Sequence, residues 1–232
     1  MYTEIMTNAP DISTLLTIFS DFNDLTHPTL NNLLDKVTIK KYKKNDFIYL
    51  AEDNSVNIFL LKEGKVKIGK YSEDGKEMVL RVNHEGDIFG ELSLITNEYR
   101  GNFAQVAHGN AEVWAISIHD LIDVMRSDFE FSLRITQIIG KKLINTERRM
   151  ETLIFKDAKS RIVDFIKRIA DERGVPVGKE TLIKTSLTHQ DIAKLTATSR
   201  QTVTTTLNEL KENNLIYFDR RRILIRDIAA LK

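Results

Sequence analysis

The chain has 232 residues, 34 Lys and Arg against 33 Asp and Glu, and no cysteine. That excludes disulfides, thiolate metal sites, cysteine-held iron–sulfur clusters and thiol catalysis. No run approaches the length of a membrane span, and the opening segment (Glu4, Pro10, Asp11) lacks the basic start and apolar stretch of a signal peptide, so a cytoplasmic location and no membrane partner are expected.

Residues 1–36 read as short helices, because Ile12, Leu15, Leu16, Ile18 and Phe19, then Leu30, Leu33 and Leu34, recur at helical spacing. From Val37 the pattern changes. VTIKKY, DFIYL, NIFLL, KVKIGKY, EMVLRVN and AEVWAI are strand-forming runs, separated by KKND, AEDNS, KEG, SEDGK, HEG and HGN. Gly64, Gly75, Gly86 and Gly109 are each placed in a turn. Strands spaced about every ten residues, with no helix between them, predict an antiparallel barrel or sandwich.

Helical signals return at Ser117, which is expected to be an N-cap, with Asp120 three residues on. A long helix is expected from about Asp128 to Ile154. Along it Phe129, Ser132, Thr136, Ile139, Leu143, Thr146, Met150 and Leu153 alternate in steps of three and four, a heptad seam. The seam predicts pairing with a second copy of the chain; the alternative is one helix lying on its own β domain. RIVDFIKRIADERG then forms an amphipathic helix closed by Gly174, which Pro176 prevents from continuing. A short strand (TLIKTSL), two helices and a hairpin (LIYFDRRRILIRD) complete the chain.

The strongest motif is SLTHQDIAKLTATSRQTVTTTLNELKENNLI. Thr188 caps a short helix with Asp191 at the capping-box position; a break at Thr196–Ala197–Thr198 follows, and Ser199 caps a second helix with Val203, Leu207 and Leu210 on one face. Two helices joined by so short a turn describe a helix-turn-helix whose recognition helix starts near Ser199. Arg200 and Gln201 stand where side chains reach base edges in the major groove, Arg suiting guanine and Gln adenine. Ser199, Thr202, Thr204 and Thr205, with Thr188, suit phosphate or thymine-methyl contacts. Arg220, Arg221 and Arg222 at the hairpin tip read as a wing on the DNA backbone. Charge agrees: residues 156–232 hold 16 basic and 10 acidic side chains, leaving 18 and 23 to the rest, although the net charge is only +1. Double-stranded DNA is the expected partner. The five histidines are scattered without metal-ligand spacing, and no metal site is expected.

These motifs, in this order, make the chain resemble the cyclic-AMP receptor / fumarate–nitrate regulator (Crp/Fnr) family over nearly its whole length. GDIFGELSL (Gly86 to Leu94) is similar to the family's phosphate-binding cassette, LIFKDAKSRI to its dimer helix and hinge, and TSRQTV to the start of its recognition helix. The resemblance implies an α+β protein. Its parts would be a cyclic-nucleotide-binding-type β-roll with N-terminal helices over 1–127, a dimerisation helix over 128–155, and a winged helix-turn-helix over 156–232. It also implies a homodimer joined through Thr136, Ile139, Leu143, Thr146, Met150 and Leu153, a palindromic operator, and RNA polymerase as a partner.

No residue pattern demands a cofactor, but the resemblance makes a cyclic nucleotide a candidate effector. Its site would comprise Phe89, Gly90, Glu91 and Leu92 of the cassette, Arg100, Asn102 and, from the long helix, Thr146. Departures accompany the likeness. Nucleotide binders carry an arginine–serine or –threonine pair after the cassette, whereas here Arg100 is followed by Gly101 and Asn102, and an ungapped alignment sets Gly101 at the arginine position. Glu147 follows Thr146 where a small hydroxyl suits a purine. Gln201 replaces the usual glutamate and Thr205 a common second arginine, so a different operator is expected. Two other readings compete: an effector-independent DNA binder of the same fold, and a cyclic-nucleotide-controlled enzyme subunit. No nucleophile–base or phosphotransfer motif supports the latter, and the chain is expected not to be an enzyme.

Overall fold

The computed structural model describes residues 10–95, 99–184, 187–219 and 222–231. The chain is α+β and forms two compact units, Met1–Leu143 and Ile144–Lys232, whose division falls inside the long helix.

The first unit opens with α1 (Ile12–Ile18), a 3-10 turn at Ser20–Phe22 and α2 (His27–Leu34). Asp11 caps α1, accepting from the Thr14 amide at 2.8 Å, and Thr26 caps α2, which has Pro28 in its first turn. The roll is β1 (Thr38–Tyr42), β2 (Phe47–Tyr49), β3 (Asn57–Tyr71), β4 (Glu77–Asn83), β5 (Ile88–Phe89) and β6 (Phe103–Ser117). Its antiparallel sheet runs β1-β6-β3-β4, with β2 on β6 and β5 on β3. Then come α3 (Ile118–Ser127) and α4 (Phe129–Phe155). Ser117 does cap α3, its hydroxyl accepting from the Asp120 amide at 3.0 Å.

Two of the expected turns are corrected. KEG and HGN do not separate strands; β3 and β6 run through them as 15-residue strands paired with each other, with register shifts between Leu61 and Val66. Gly64 (φ 98°) and Gly109 (φ 63°) therefore sit within bulged strands. A Cβ at Gly64 would lie 2.5 Å from the Asn110 carbonyl, so the close approach of the two strands needs glycine there. Gly75 and Gly86 lie in turns as read.

Strand β6 is buried on both faces. Trp114 and Ile116 point to the helical layer with Leu15, Phe19, Phe22, Leu30 and Phe131, while Val113 and Ala115 point into the roll with Tyr49, Phe59, Ile68 and Phe89. On α4, Phe131, Ile135 and Ile138 are buried in this unit. Ile139, one of the expected seam residues, is partly buried against the same core. The helix spans Phe129–Phe155.

The second unit holds α5 (Ala158–Arg173), β7 (Val175–Val177), β8 (Glu180–Lys184), α6 (His189–Thr196), α7 (Arg200–Glu212), β9 (Ile216–Asp219) and β10 (Arg222–Ile225). Its sheet runs β7-β8-β10-β9. Strand β7 was not foreseen because it contains Pro176; as an edge strand it loses nothing by the missing amide. Ile162, Val163 and Ile166 of α5, Ile192 of α6, Val203 and Leu207 of α7, and Ile223 and Ile225 of β10 share one core.

Candidate functional site

In the second unit, local chemistry builds a helix pair with an exposed leading edge. Thr188 and Asp191 form a reciprocal capping box at the start of α6: the Thr188 hydroxyl accepts from the Asp191 amide at 3.1 Å, and the carboxylate accepts from the Thr188 amide at 2.8 Å. Helix α6 ends on Ala197, in the left-handed region at φ 51°. Two residues later Ser199 caps α7, accepting from the Thr202 amide at 3.0 Å and sharing a 2.8 Å hydrogen bond with the Thr202 hydroxyl. With Val203, Thr206, Leu207 and Leu210 buried, Arg200, Gln201 and Thr205 face solvent.

The threonine assigned to DNA at 204 has a second duty. Its hydroxyl donates to the Arg200 carbonyl at 3.0 Å and lies 2.9 Å from His189 Nδ1, so it accepts from an Nδ1–H of the imidazole. Burial first, then the Arg200 guanidinium, hold His189 below its ordinary 6.5. At the hairpin, Arg222 Nε donates to Asp219 at 2.6 Å, so this guanidinium is held across the turn. Arg220 and Arg221 lie outside the described residues.

The first unit brings Phe89, Gly90, Glu91, Leu92, Arg100 and Asn102 together. Gly90 (φ 81°) opens a 3-10 turn over Glu91–Leu94, and a Cβ there would meet Arg100 Nη1 at 2.9 Å. Despite its sequence offset, Arg100 turns into the pocket. Nη1 donates to Ser93 Oγ at 3.1 Å and Nη2 to the Asn57 carbonyl at 2.7 Å, while the guanidinium lies 4.1 Å from the centre of the Tyr49 ring. Tyr49 stacks on Phe59 and donates to Asn102 Oδ1 at 3.1 Å. Burial pushes its phenol up to about 12 against the opposing pull of Arg100.

Two residues of this site were not foreseen. Arg81 Nη2 donates to both Glu91 oxygens at 2.9 and 3.2 Å, and Lys142 Nζ donates to Glu91 Oε2 at 2.9 Å and to the Ile88 carbonyl. Burial alone would raise the Glu91 carboxyl, but Lys142 and then Arg81 outweigh it, and the group is held below its ordinary range. The cue for Arg81 was its place in β4, where Val79 and Asn83 on either side at spacing two are buried. Lys142 gave a weaker cue, one helical turn before Thr146. Thr146 itself is an exposed α4 residue of the second unit.

The donor set suits an anion. Arg81 Nε, Arg100 Nε and Ser55 Oγ are buried without a hydrogen-bond partner among the described residues, and all three residues line the cavity. The cavity they line is about 10 Å³, room for one water. No cluster able to hold a metal ion occurs among the described residues, nor a helix long and apolar enough to cross a membrane.

A β-roll with a glycine-cornered cassette, and a long helix leading to a winged helix-turn-helix, define a sensor-type domain joined to a DNA-binding one. Residues 39–128 match the cyclic nucleotide-binding domain family and residues 160–232 the Crp-like helix-turn-helix domain family. The chain belongs to the Crp/Fnr family and is a DNA-binding transcription regulator. It is 28% identical over 194 residues to the global nitrogen regulator of Synechocystis sp., covering 83% of this chain and 86% of that one. It is 29% identical to the CRP-like cAMP-activated global transcriptional regulator of Mycobacterium tuberculosis, covering 82% and 84%. Its fold is similar to that of a CooA mutant from Carboxydothermus hydrogenoformans, with a TM-score of 0.77, 24% identity, and coverage of 97% and 96%.

Proposed function

We propose that the chain works in the cytoplasm as a homodimer that sets two copies of α7 into successive major grooves of a palindromic operator, about 34 Å apart. The observation that carries this is the leading edge of α7: a helix start fixed by Ser199, with Arg200, Gln201 and Thr205 exposed beside it. Arg200 reads a guanine, Gln201 an adjacent base, and the hydroxyls and wing hold the backbone. The seam of Leu143, Met150 and Leu153, with Ile144, Ile154 and Phe155 also exposed on α4, supports pairing of two helices. No enzymatic reaction belongs to this reading; once bound, the protein acts on RNA polymerase.

The cyclic nucleotide-binding family match makes cyclic AMP the first effector to try. The small cavity and the departure at Arg100-Gly101-Asn102 support a second reading, in which the protein binds its operator without that nucleotide. An effector at the cassette switches the protein only by its different affinity for two arrangements.

Anisotropy titration of the operator with Arg200→Ala tests the docking. The variant should lose about 1–3 kcal/mol and its preference at one base pair per half-site. An unchanged preference at every position would exclude Arg200 from base reading.

A further inference from the structure

Arg161, in the first turn of α5, makes three hydrogen bonds to backbone carbonyls in two separate places. Nη1 donates at 2.9 Å to the carbonyl of Lys156, in the two-residue link between α4 and α5. Nε donates at 2.9 Å to the carbonyl of Thr196, and Nη2 at 3.0 Å to that of Ala197, the last residue of α6 and its left-handed cap. One planar fork thus fixes the distance between the link and the helix-turn-helix turn. The turn is short: Ala197 is followed by Thr198, then by Ser199, the cap of α7, and Arg200. The base of the fork is held firmly, since Ile162 and Val163 beside Arg161 are buried in the core they share with Val203 and Leu207 of α7.

From this we infer that Arg161 is a positioning residue: it passes the position of the link at Lys156 to the turn that aims the recognition helix. The inference rests on α7 as the recognition helix and adds the route by which the end of the long helix sets its angle. The guanidinium suits the role because its donors are fixed in one plane and span carbonyls that a single ammonium cannot bridge. The link is itself shaped locally, by Asp157 accepting from the Ser160 amide at 2.7 Å and by the ion pair of Lys156 with Asp164.

The test uses the full chain and the operator recovered from a randomised DNA pool. Arg161→Lys should weaken operator binding by about tenfold or more, the scale of ordinary coupling between sites. Binding to random-sequence DNA and the salt slope should stay as in wild type. If Arg161 instead contacts phosphate, lysine will restore binding and Arg161→Gln will weaken both DNAs with a shallower slope, which overturns the inference. Asp157→Ala disturbs the link from its other side. It should weaken operator binding in wild type and add little in the Arg161→Lys background; fully additive losses, or no loss in wild type, would sink the coupling while leaving a folding role. A wild type that selects no operator fails at α7 instead, a distinguishable result.

Discussion

At the scale of single residues, Glu91 anchors the sensor unit. The family resemblance assigns it to a ribose hydroxyl, yet here its two oxygens take donors from Arg81 of β4 and Lys142 of α4. Removing it leaves two cations facing each other in a largely buried site. Glu91→Ala should cost about 2 kcal/mol in urea unfolding, below the value for a fully buried pair because Arg81 and Lys142 keep some water. The pH dependence follows from the direction of its shift. A folded value below the ordinary 4.5 contributes stability that is fully present above 4.5 and is lost as the pH falls through the folded value. Wild type should lose more stability than Glu91→Gln on acidification below 4.5; equal losses would remove Glu91 from that role.

At the scale of elements, the turn between α6 and α7 carries a strained residue. Ala197 adopts φ 51° where glycine is usual, and its carbonyl is tied by Arg161. Ala197→Gly should raise thermal stability by roughly 1 kcal/mol, through relief of the Cβ clash. A drop in melting temperature would mean that alanine's stiffness matters more.

The helix pair was legible in the sequence because its signals are local: Thr188 with Asp191, then Ser199, at fixed spacing from the buried faces. The long strands β3 and β6 were not, since Gly64 and Gly109 read as turn formers until the two strands pair and make them bulges. The pocket was half legible. Gly90 and Glu91 announce themselves within nine residues, whereas Arg81 and Lys142 join Glu91 only through the tertiary fold, from 10 residues before and 51 after. Arg161 was missed for the same reason, its carbonyl partners at Thr196 and Ala197 lying 35 and 36 residues away.

At the scale of the whole molecule, the two halves differ in charge as in task. The basic residues after 155 favour a polyanion, so operator affinity should fall steeply with salt, with a slope set by the phosphates neutralised. The exposed apolar stripe of α4 should be covered by a second copy. Leu143→Glu combined with Leu153→Glu should convert a dimer to a monomer in sedimentation and weaken operator binding far more than binding to random DNA. A double variant that remains dimeric would place the dimer interface elsewhere.

The most direct test is selection of bound sequences from a randomised duplex pool, run in parallel with and without cyclic AMP at fixed salt. One palindrome, with half-sites about one helical turn apart, should be enriched equally in both arms. Enrichment only with cyclic AMP would contradict the effector-independent reading, and no palindrome in either arm would contradict the assignment of α7 as the reading helix of a two-fold dimer.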